Sequence, residues 1–334
     1  MKIVVYGAGS IGCYIGAILS RQGLDVVLLG RERIAKAIDD HGGIGISDYQ
    51  GRSERIRDVE FSTDAEVLRQ ADVVLVTLKC TAMPAAADEL QTYCKDNSLV
   101  VCLQNGVNAE APLLGKLSGS LIALGIVPFN VIQDSKANFH RATEGTLYLP
   151  DVDVLQPVQQ AFQDYGVPCE RAPDMEAVIW GKLLLNLNNA INALSDQPLK
   201  TELSQRGYRR VLAACQEELL MACSSKGIRL AQLTGIKPAQ LPKLLKLPDF
   251  VFRILAKKML TIDPQARSSM WEDIQFGRKT EIEFLNGAVV RLAESVGMEA
   301  PANATITRMI HGLEAKEIAG GMSADELLSR ISEG

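Results

Sequence analysis

Histidine is scarce in this chain, with only His41, His140 and His311 among 334 residues. They are too dispersed to predict a metal site. The seven cysteines show no C-x-x-C and no Cys/His spacing. An odd, unpatterned set of this kind reads as reduced core thiols and excludes a disulfide framework or zinc site. No run of Lys and Arg is long enough to form a local basic patch, and the net charge is −5. Both argue against a nucleic-acid surface. The uncharged stretch 117–133 is broken by Ser, Gly, Pro and Asn, so it reads as a strand and loop, not a membrane span. No leader-like segment stands before the first apolar run, so neither a signal nor a transit peptide is expected and the expected compartment is the cytoplasm.

What is present begins at residue 3. Ile3 to Tyr6 is a short β-branched run suited to a buried strand. Gly7-Ala8-Gly9-Ser10-Ile11-Gly12 follows at once, and an apolar stretch suited to a packed helix runs on to Leu19. Strand, G-x-G-x-x-G and helix in this order form the dinucleotide fingerprint in its required context. Gly7 allows the tight turn, Gly9 lets a pyrophosphate approach the backbone, and Gly12 lets the helix sit close to the strand. The helix start then offers free N–H groups to phosphate. A second strand is expected over Asp25–Leu29. An NAD-specific site places an acid at that strand's tip; here the tip reads Gly30-Arg31-Glu32-Arg33. A guanidinium suits a 2′-phosphate where a carboxylate repels it, so the pattern predicts NADP(H). The alternative is that Arg31 and Arg33 are solvated first-turn residues and Glu32 holds the ribose.

Up to about residue 172 strands and helices alternate. Strands are expected at 72–77, 99–103, 121–127 and 168–171, helices at 83–93 and 157–165, and a small hairpin excursion within 43–60. After Pro173 strand-like runs vanish and amphipathic helices take over at 175–195, 204–226, 250–260, 269–296 and 302–318, with an exposed connector at 238–248. The expected class is α/β plus all-α: an N-terminal Rossmann-type doubly wound sheet over 1–172, then a helical C-terminal domain over 173–334.

The second domain opens on Trp180-Gly181-Lys182-Leu183-Leu184-Leu185-Asn186-Leu187-Asn188-Asn189. Buried amides and ammonium groups are costly when unpaired. Lys182, Asn186 and Asn189 fall on one helical stripe, either a wet face or a site. Further on, Ser269 and Glu272 make an S-x-x-E capping box with Ser269 as N-cap. Such a start also suits a carboxylate. Pattern alone makes Lys279 and Glu281 mid-helix surface charges.

These segments together resemble the ketopantoate reductase (2-dehydropantoate 2-reductase) family over nearly the whole length. The carriers are GAGSIG at 7–12, Arg31, the VTLKC run with Lys79, Gln104-Asn105-Gly106, Trp180-x-Lys182-x-x-x-Asn186, Ser269, and Arg278-x-Thr280-Glu281-Ile282-Glu283-x-x-Asn286-Gly287. The resemblance implies NADPH-dependent reduction of ketopantoate on the route to pantothenate. It implies Lys182 as proton donor and Asn186 and Ser269 as substrate ligands. It sets Arg31, Lys79, Asn105 and Glu281 on the cofactor, the last two near the reacting end. Two positions depart from the family pattern. A second Asn, eight residues after the lysine in many members, is Ala190 here; Asn189 or Asn192 replaces it, and the helical wheel favours Asn189. An Asn three residues before the serine is Ala266. A lysine ammonium can stabilise the charge that hydride delivery leaves on a carbonyl oxygen and then donate its proton, and burial in an interdomain cleft would lower its pKa. The rivals are a related reductase of another 2-oxo acid, and an NADP(H)-binding sensor without turnover, which has no need of Lys182 and Glu281. The expected partners are a small 2-oxo acid and at most a second copy of the chain, with no nucleic acid and no membrane.

Overall fold

The computed structural model describes residues 1–256 and 265–333. The chain divides into two compact units, Met1–Met175 and Glu176–Gly334.

In the first unit the elements run β1 (Lys2–Tyr6), α1 (Ser10–Arg21), β2 (Asp25–Leu29), α2 (Glu32–Asp40), β3 (Ile44–Asp48), β4 (Ser53–Ile56), β5 (Glu60–Ser62), β6 (Val73–Val76), α3 (Met83–Tyr93), β7 (Leu99–Cys102), β8 (Leu121–Leu124), β9 (Val131–Gln133), β10 (Asn138–Arg141), β11 (Leu147–Pro150), α4 (Gln156–Tyr165) and β12 (Cys169–Ala172). A six-stranded sheet has the order β5-β2-β1-β6-β7-β8, with every neighbouring pair parallel. Numbered within that sheet, the order is 3-2-1-4-5-6, the doubly wound arrangement whose chain reverses direction between β1 and β6. The central strands are apolar on both faces because both faces are covered. Ile3, Val5, Val26, Leu28, Val73 and Leu75 pack with α1 and α4. Val4, Tyr6, Val27, Leu29, Val74 and Val76 pack with Met83, Ala86 and Leu90 of α3.

The excursion within 43–60 is an antiparallel hairpin of β3 and β4. It grows into a four-stranded sheet, β4-β3-β10-β9. Strands β9, β10 and β11 have no counterpart among the strands expected from sequence. They are three or four residues long and two of them carry charged or polar residues, so periodicity had little to act on. All seven cysteines are free and six are buried. Burial pushes thiols such as Cys13 and Cys102 up to about 12, which makes them inert.

The second unit is helical: α5 (Met175–Asn186, starting at the junction), α6 (Asn188–Ser195), α7 (Leu199–Leu203), α8 (Arg206–Lys226), α9 (Leu241–Leu245), α10 (Asp249–Leu255), α11 (Ser269–Gln275), α12 (Asn286–Ser295), α13 (Pro301–Glu314) and α14 (Ala324–Glu333). The helix expected over 175–195 is interrupted at Leu187, whose N–H still reaches Leu183 O at 3.0 Å. The helix expected over 269–296 is broken outright. Gly277 takes φ +62, a left-handed stop, and Arg278 N–H closes back on Asp273 O at 2.7 Å. Lys279 and Glu281 therefore lie in the connecting segment, not mid-helix. The stretch 238–248 is not an exposed connector either: it holds α9, whose Leu241 and Leu245 are buried. Of the helix expected over 250–260, residues 257–260 lie outside the described residues. No helix among the described residues is long and apolar enough to cross a membrane.

Candidate functional site

Four loops leave the carboxyl ends of adjacent parallel strands in the first unit. Register sets Tyr6 beside Leu29 and Val76, and Val76 beside Cys102. The residues just past them are the glycine turn, Gly30-Arg31, Thr77 to Lys79, and Leu103 to Asn105. The structure thus brings Gly7, Ala8, Gly9, Ser10, Ile11, Gly12, Arg31, Lys79 and Asn105 to one edge of one sheet. Open α/β sheets bind ligands at that edge.

The turn itself is built for close approach. Gly7 sits at φ +105, and a Cβ there would lie 2.7 Å from Leu78 N. A Cβ on Gly12 would lie 2.5 Å from Gly7 O and 2.7 Å from Thr77 Oγ1. At Gly9 the nearest atom would be 3.9 Å away, so the backbone there is open. Gly9 caps α1 with no side-chain bond, and no acid stands in the helix's first turn. Its first N–H groups and dipole are left for an anion. Two hydrogen bonds, from Gly7 N and Ala8 N to Leu29 O at 3.0 and 2.9 Å, stitch the turn to the tip of β2. Arg31 follows that tip at the N-cap of α2. Arg31 and Arg33 are exposed and engage no acid among the described residues. Glu32 is exposed as well.

One residue of this edge was missed in the sequence. Thr77 Oγ1 donates to Gly7 O at 2.8 Å and so fixes the turn. Its signal was a hydroxyl closing the apolar run Val73–Val76. Asn105 is half-buried, and its carbonyl accepts the Cys80 thiol at 3.0 Å.

In the second unit Lys182 and Asn186 lie one turn apart on α5, between buried Ile179, Trp180, Leu183 and Leu184. Lys182 is half-buried, and desolvation lowers its pKa to about 8. Asn186 is only 8% exposed, yet its side-chain amide has no hydrogen-bond partner among the described residues. A solvated face is therefore the wrong description of this stripe. Asn189 is half-buried, with its carbonyl taken by Ser268 Oγ at 3.0 Å. Asn192 is 0% exposed. Its Nδ2 donates to Gln197 O and Glu202 Oε2 at 2.8 and 2.6 Å, and its Oδ1 accepts from Ser268 N at 2.8 Å. Asn192 is fully committed to the fold, so Asn189 is the available amide. Ala190 is also 0% exposed, which makes that position a core site here.

The capping prediction is off by one residue. Ser268, not Ser269, caps α11, accepting from Trp271 N at 3.1 Å. Ser269 is the first helical residue and is exposed. It stands beside the Ser268–Asn189 contact with its hydroxyl free of the capping role. Glu281 is half-buried at the start of a short 3-10 turn, where its carbonyl accepts from Phe284 N at 2.9 Å. Glu202 and Ser268 are among the buried polar residues of this unit that pattern reasoning overlooked.

Two family profiles match the chain. The ketopantoate reductase PanE/ApbA profile matches residues 3–153, and the profile for the C-terminal part of the same family matches residues 174–314. A 2-dehydropantoate 2-reductase of Pyrococcus abyssi is 27% identical, with 95% of this chain and 99% of the relative covered. Among solved structures, a PanE/ApbA family ketopantoate reductase from Ralstonia eutropha JMP134 superimposes with a TM-score of 0.80 at 26% identity, covering 95% of this chain and 99% of that one. The ternary structure of D-mandelate dehydrogenase with NADH and anilino(oxo)acetate gives a TM-score of 0.76 at 18% identity over 95% of this chain and 99% of that one, a likeness of fold.

Proposed function

The chain belongs to the ketopantoate reductase family, and from that premise we propose that it is an oxidoreductase reducing 2-dehydropantoate to pantoate with NADPH. The first unit is the cofactor domain, and the second carries the substrate and proton-donor residues together with Glu281. Gly7, Gly9 and Gly12 leave a cradle that side chains would fill, and Arg31 offers a guanidinium that no acid holds among the described residues, so the residues present fit a 2′-phosphorylated dinucleotide. Residues 7–12 and the start of α1 hold the pyrophosphate. Arg31 holds the 2′-phosphate, and Lys79, Asn105 and Glu281 position the rest.

NADPH when bound supplies the hydride that adds to C2 of the substrate. The carbonyl oxygen becomes an alkoxide, and Lys182 Nζ stabilises that charge and gives up its proton to form the hydroxyl. Asn186, Asn189 and Ser269 orient the 2-oxo acid without burying a second cation. The observation that carries this reading is Lys182: its pKa is lowered to about 8 by burial alone, one turn from the enclosed Asn186 amide, which has no partner among the described residues. A pKa near the working pH is what a general acid needs. The free, buried thiols suit a reducing compartment, the cytoplasm.

A second reading is favoured by Ala190 and Asn192, which withdraw one expected amide from the substrate: the true substrate is a different 2-oxo acid. A panel of 2-oxo acids including 2-dehydropantoate and an aryl 2-oxo acid, each with NADPH and with NADH, tests both. Loss of absorbance at the reduced nicotinamide band is expected fastest with 2-dehydropantoate and NADPH. Faster turnover of another 2-oxo acid favours the second reading. Absence of turnover on every member refutes both and leaves a cofactor-binding sensor.

A further inference from the structure

Glu202 has no place in the reaction above, yet it is the carboxyl on which a corner of the second unit turns. It sits on the short helix α7 at 0% exposure. Its Oε2 accepts from Asn192 Nδ2 at 2.6 Å, and the Asn188 amide also faces it. Asn192 Nδ2 donates in addition to Gln197 O at 2.8 Å. A primary amide is nearly symmetric in shape, so its neighbours decide which end is which. Two acceptors on one side, Glu202 Oε2 and Gln197 O, hold the NH2 group there. That leaves Asn192 Oδ1 to accept from Ser268 N at 2.8 Å. Ser268 in turn donates from Oγ to Asn189 O at 3.0 Å and caps Trp271 N at 3.1 Å. A second tie, Leu199 N to Ala266 O at 2.9 Å, joins the start of α7 to the same segment.

We propose that Glu202 is a positioning residue for the substrate side of the site: through Asn192 it fixes Ser268, and so sets Ser269 at the start of α11 beside Asn189 on α6. The inference rests on the reading that Asn189 and Ser269 bind the 2-oxo acid. The chain of contacts from Glu202 through Asn192 to Ser268 spans α7, α6 and the start of α11. A buried carboxyl is an expensive way to supply one acceptor, and desolvation pushes this one up to about 8, which favours its neutral form at pH 7. Glu202 Oε1 and Asn188 Oδ1 are both buried without a hydrogen-bond partner among the described residues. Both are acceptors, and the proton of a neutral carboxyl is the donor that such a pair lacks.

The test compares Glu202→Ala, Glu202→Asp and Glu202→Gln in the full-length enzyme. Glutamine keeps an acceptor where Oε2 stands and an NH2 group where the carboxyl proton stands, so it should rescue. Aspartate withdraws the carboxyl from Asn192 by one methylene and should behave like alanine, which covers the case in which alanine does not fold. The expected result for alanine or aspartate is a KM for the 2-oxo acid raised roughly tenfold, with kcat and the NADPH Kd within about twofold of the parent; glutamine should stay within about threefold on all three. Amide hydrogen exchange gives a readout that does not depend on substrate. Protection of the Ser268 and Trp271 amides should fall in the alanine or aspartate variant and return with glutamine. Unchanged exchange at these two amides overturns the inference. So does a parallel rise of substrate KM and NADPH Kd, which marks general loosening. If the parent turns over no 2-oxo acid, the functional reading fails, and the clamp is then decided by the exchange data alone.

Discussion

Replacing Lys182 by methionine tests chemistry and energetics at once, because the two move in opposite directions. Methionine has similar length and no charge. Burial lowers the Lys182 pKa from 10.5 to about 8, and at 1.36 kcal/mol per unit this corresponds to about 3 kcal/mol by which the folded state disfavours the ammonium. Below about pH 8 both folded and unfolded chains carry the proton, so the parent bears that cost in full. Between about pH 8 and 10.5 the unfolded chain holds the proton and the folded one does not, so the parent's stability rises with pH. The methionine variant lacks both cost and slope. Lys182→Met should therefore be stabilised at pH 7 by up to about 3 kcal/mol, an upper bound because Lys182's own contact is lost too. The gain should shrink as pH rises through that window. Turnover should fall roughly 10²–10⁴-fold, and in kcat, since the charge Lys182 answers develops during reduction. In the parent, kcat should decline as pH rises through about 8; in the variant this limb should be absent. Urea titrations at pH 7 and 10 and nicotinamide absorbance across pH supply both curves. A variant keeping more than half the parental kcat refutes the proton-donor role. An inactive variant that is destabilised at pH 7 refutes the desolvation account.

Arg31→Ala should cost about 1.5–3 kcal/mol in NADPH binding, read as a raised NADPH KM with NADH almost unaffected; equal use of both cofactors by the parent would show that Arg31 does not select the phosphate. Ser268→Ala should lower stability by about 1 kcal/mol through loss of the α11 cap, whereas Ser269→Ala should stay within about 0.5 kcal/mol in denaturant titrations and raise substrate KM instead; the reverse pattern would restore Ser269 as the cap. Gly12→Ala sets a methyl 2.5 Å from Gly7 O and 2.7 Å from Thr77 Oγ1, so it should lower stability by about 1–3 kcal/mol and weaken NADPH in a fluorescence titration, and an alanine variant with parental Tm and Kd would show that the turn has room to spare.

The first unit was legible because its information is local and repeated. Strands β1, β2, β6 and β7 are continuous apolar runs because both faces of a parallel sheet are covered, and α3 falls on 83–93, where the Ala-rich stretch reads as a helix. The glycine turn carries its own context. What escaped notice was short or polar: β9, β10 and β11 owe their existence to pairing partners, β10 lying beside β3 across some ninety residues. In the second unit helix existence was legible and continuity was not. A stretch reading as one helix over 269–296 hides Gly277, whose positive φ ends α11. An isolated glycine inside a helical pattern is tolerated in some helices and terminates others, and only the backbone around it decides which.

The substrate-side residues show where such reading stops. Ser268 and Ser269 both stand at the start of α11 with a plausible residue three positions on, Trp271 or Glu272, and local pattern ranks the S-x-x-E pair higher. The structure chooses the other because Ser268 N–H is claimed by Asn192, 76 residues earlier, and its Oγ by Asn189 O, 79 residues earlier. Once the backbone at Ser268 is fixed from outside, its hydroxyl is the one that meets Trp271 N–H, and Ser269 is released from capping. The same contacts take up the side-chain amide of Asn192, the residue that the helical wheel ranks second. Among the described residues, Asn192 spends both ends of its side-chain amide inside the unit, whereas Asn189 spends only its main-chain carbonyl. A residue's availability to a ligand is thus what remains after the fold has taken its hydrogen bonds, and those bonds come from α7 and α11, elements that no window around 180–195 contains.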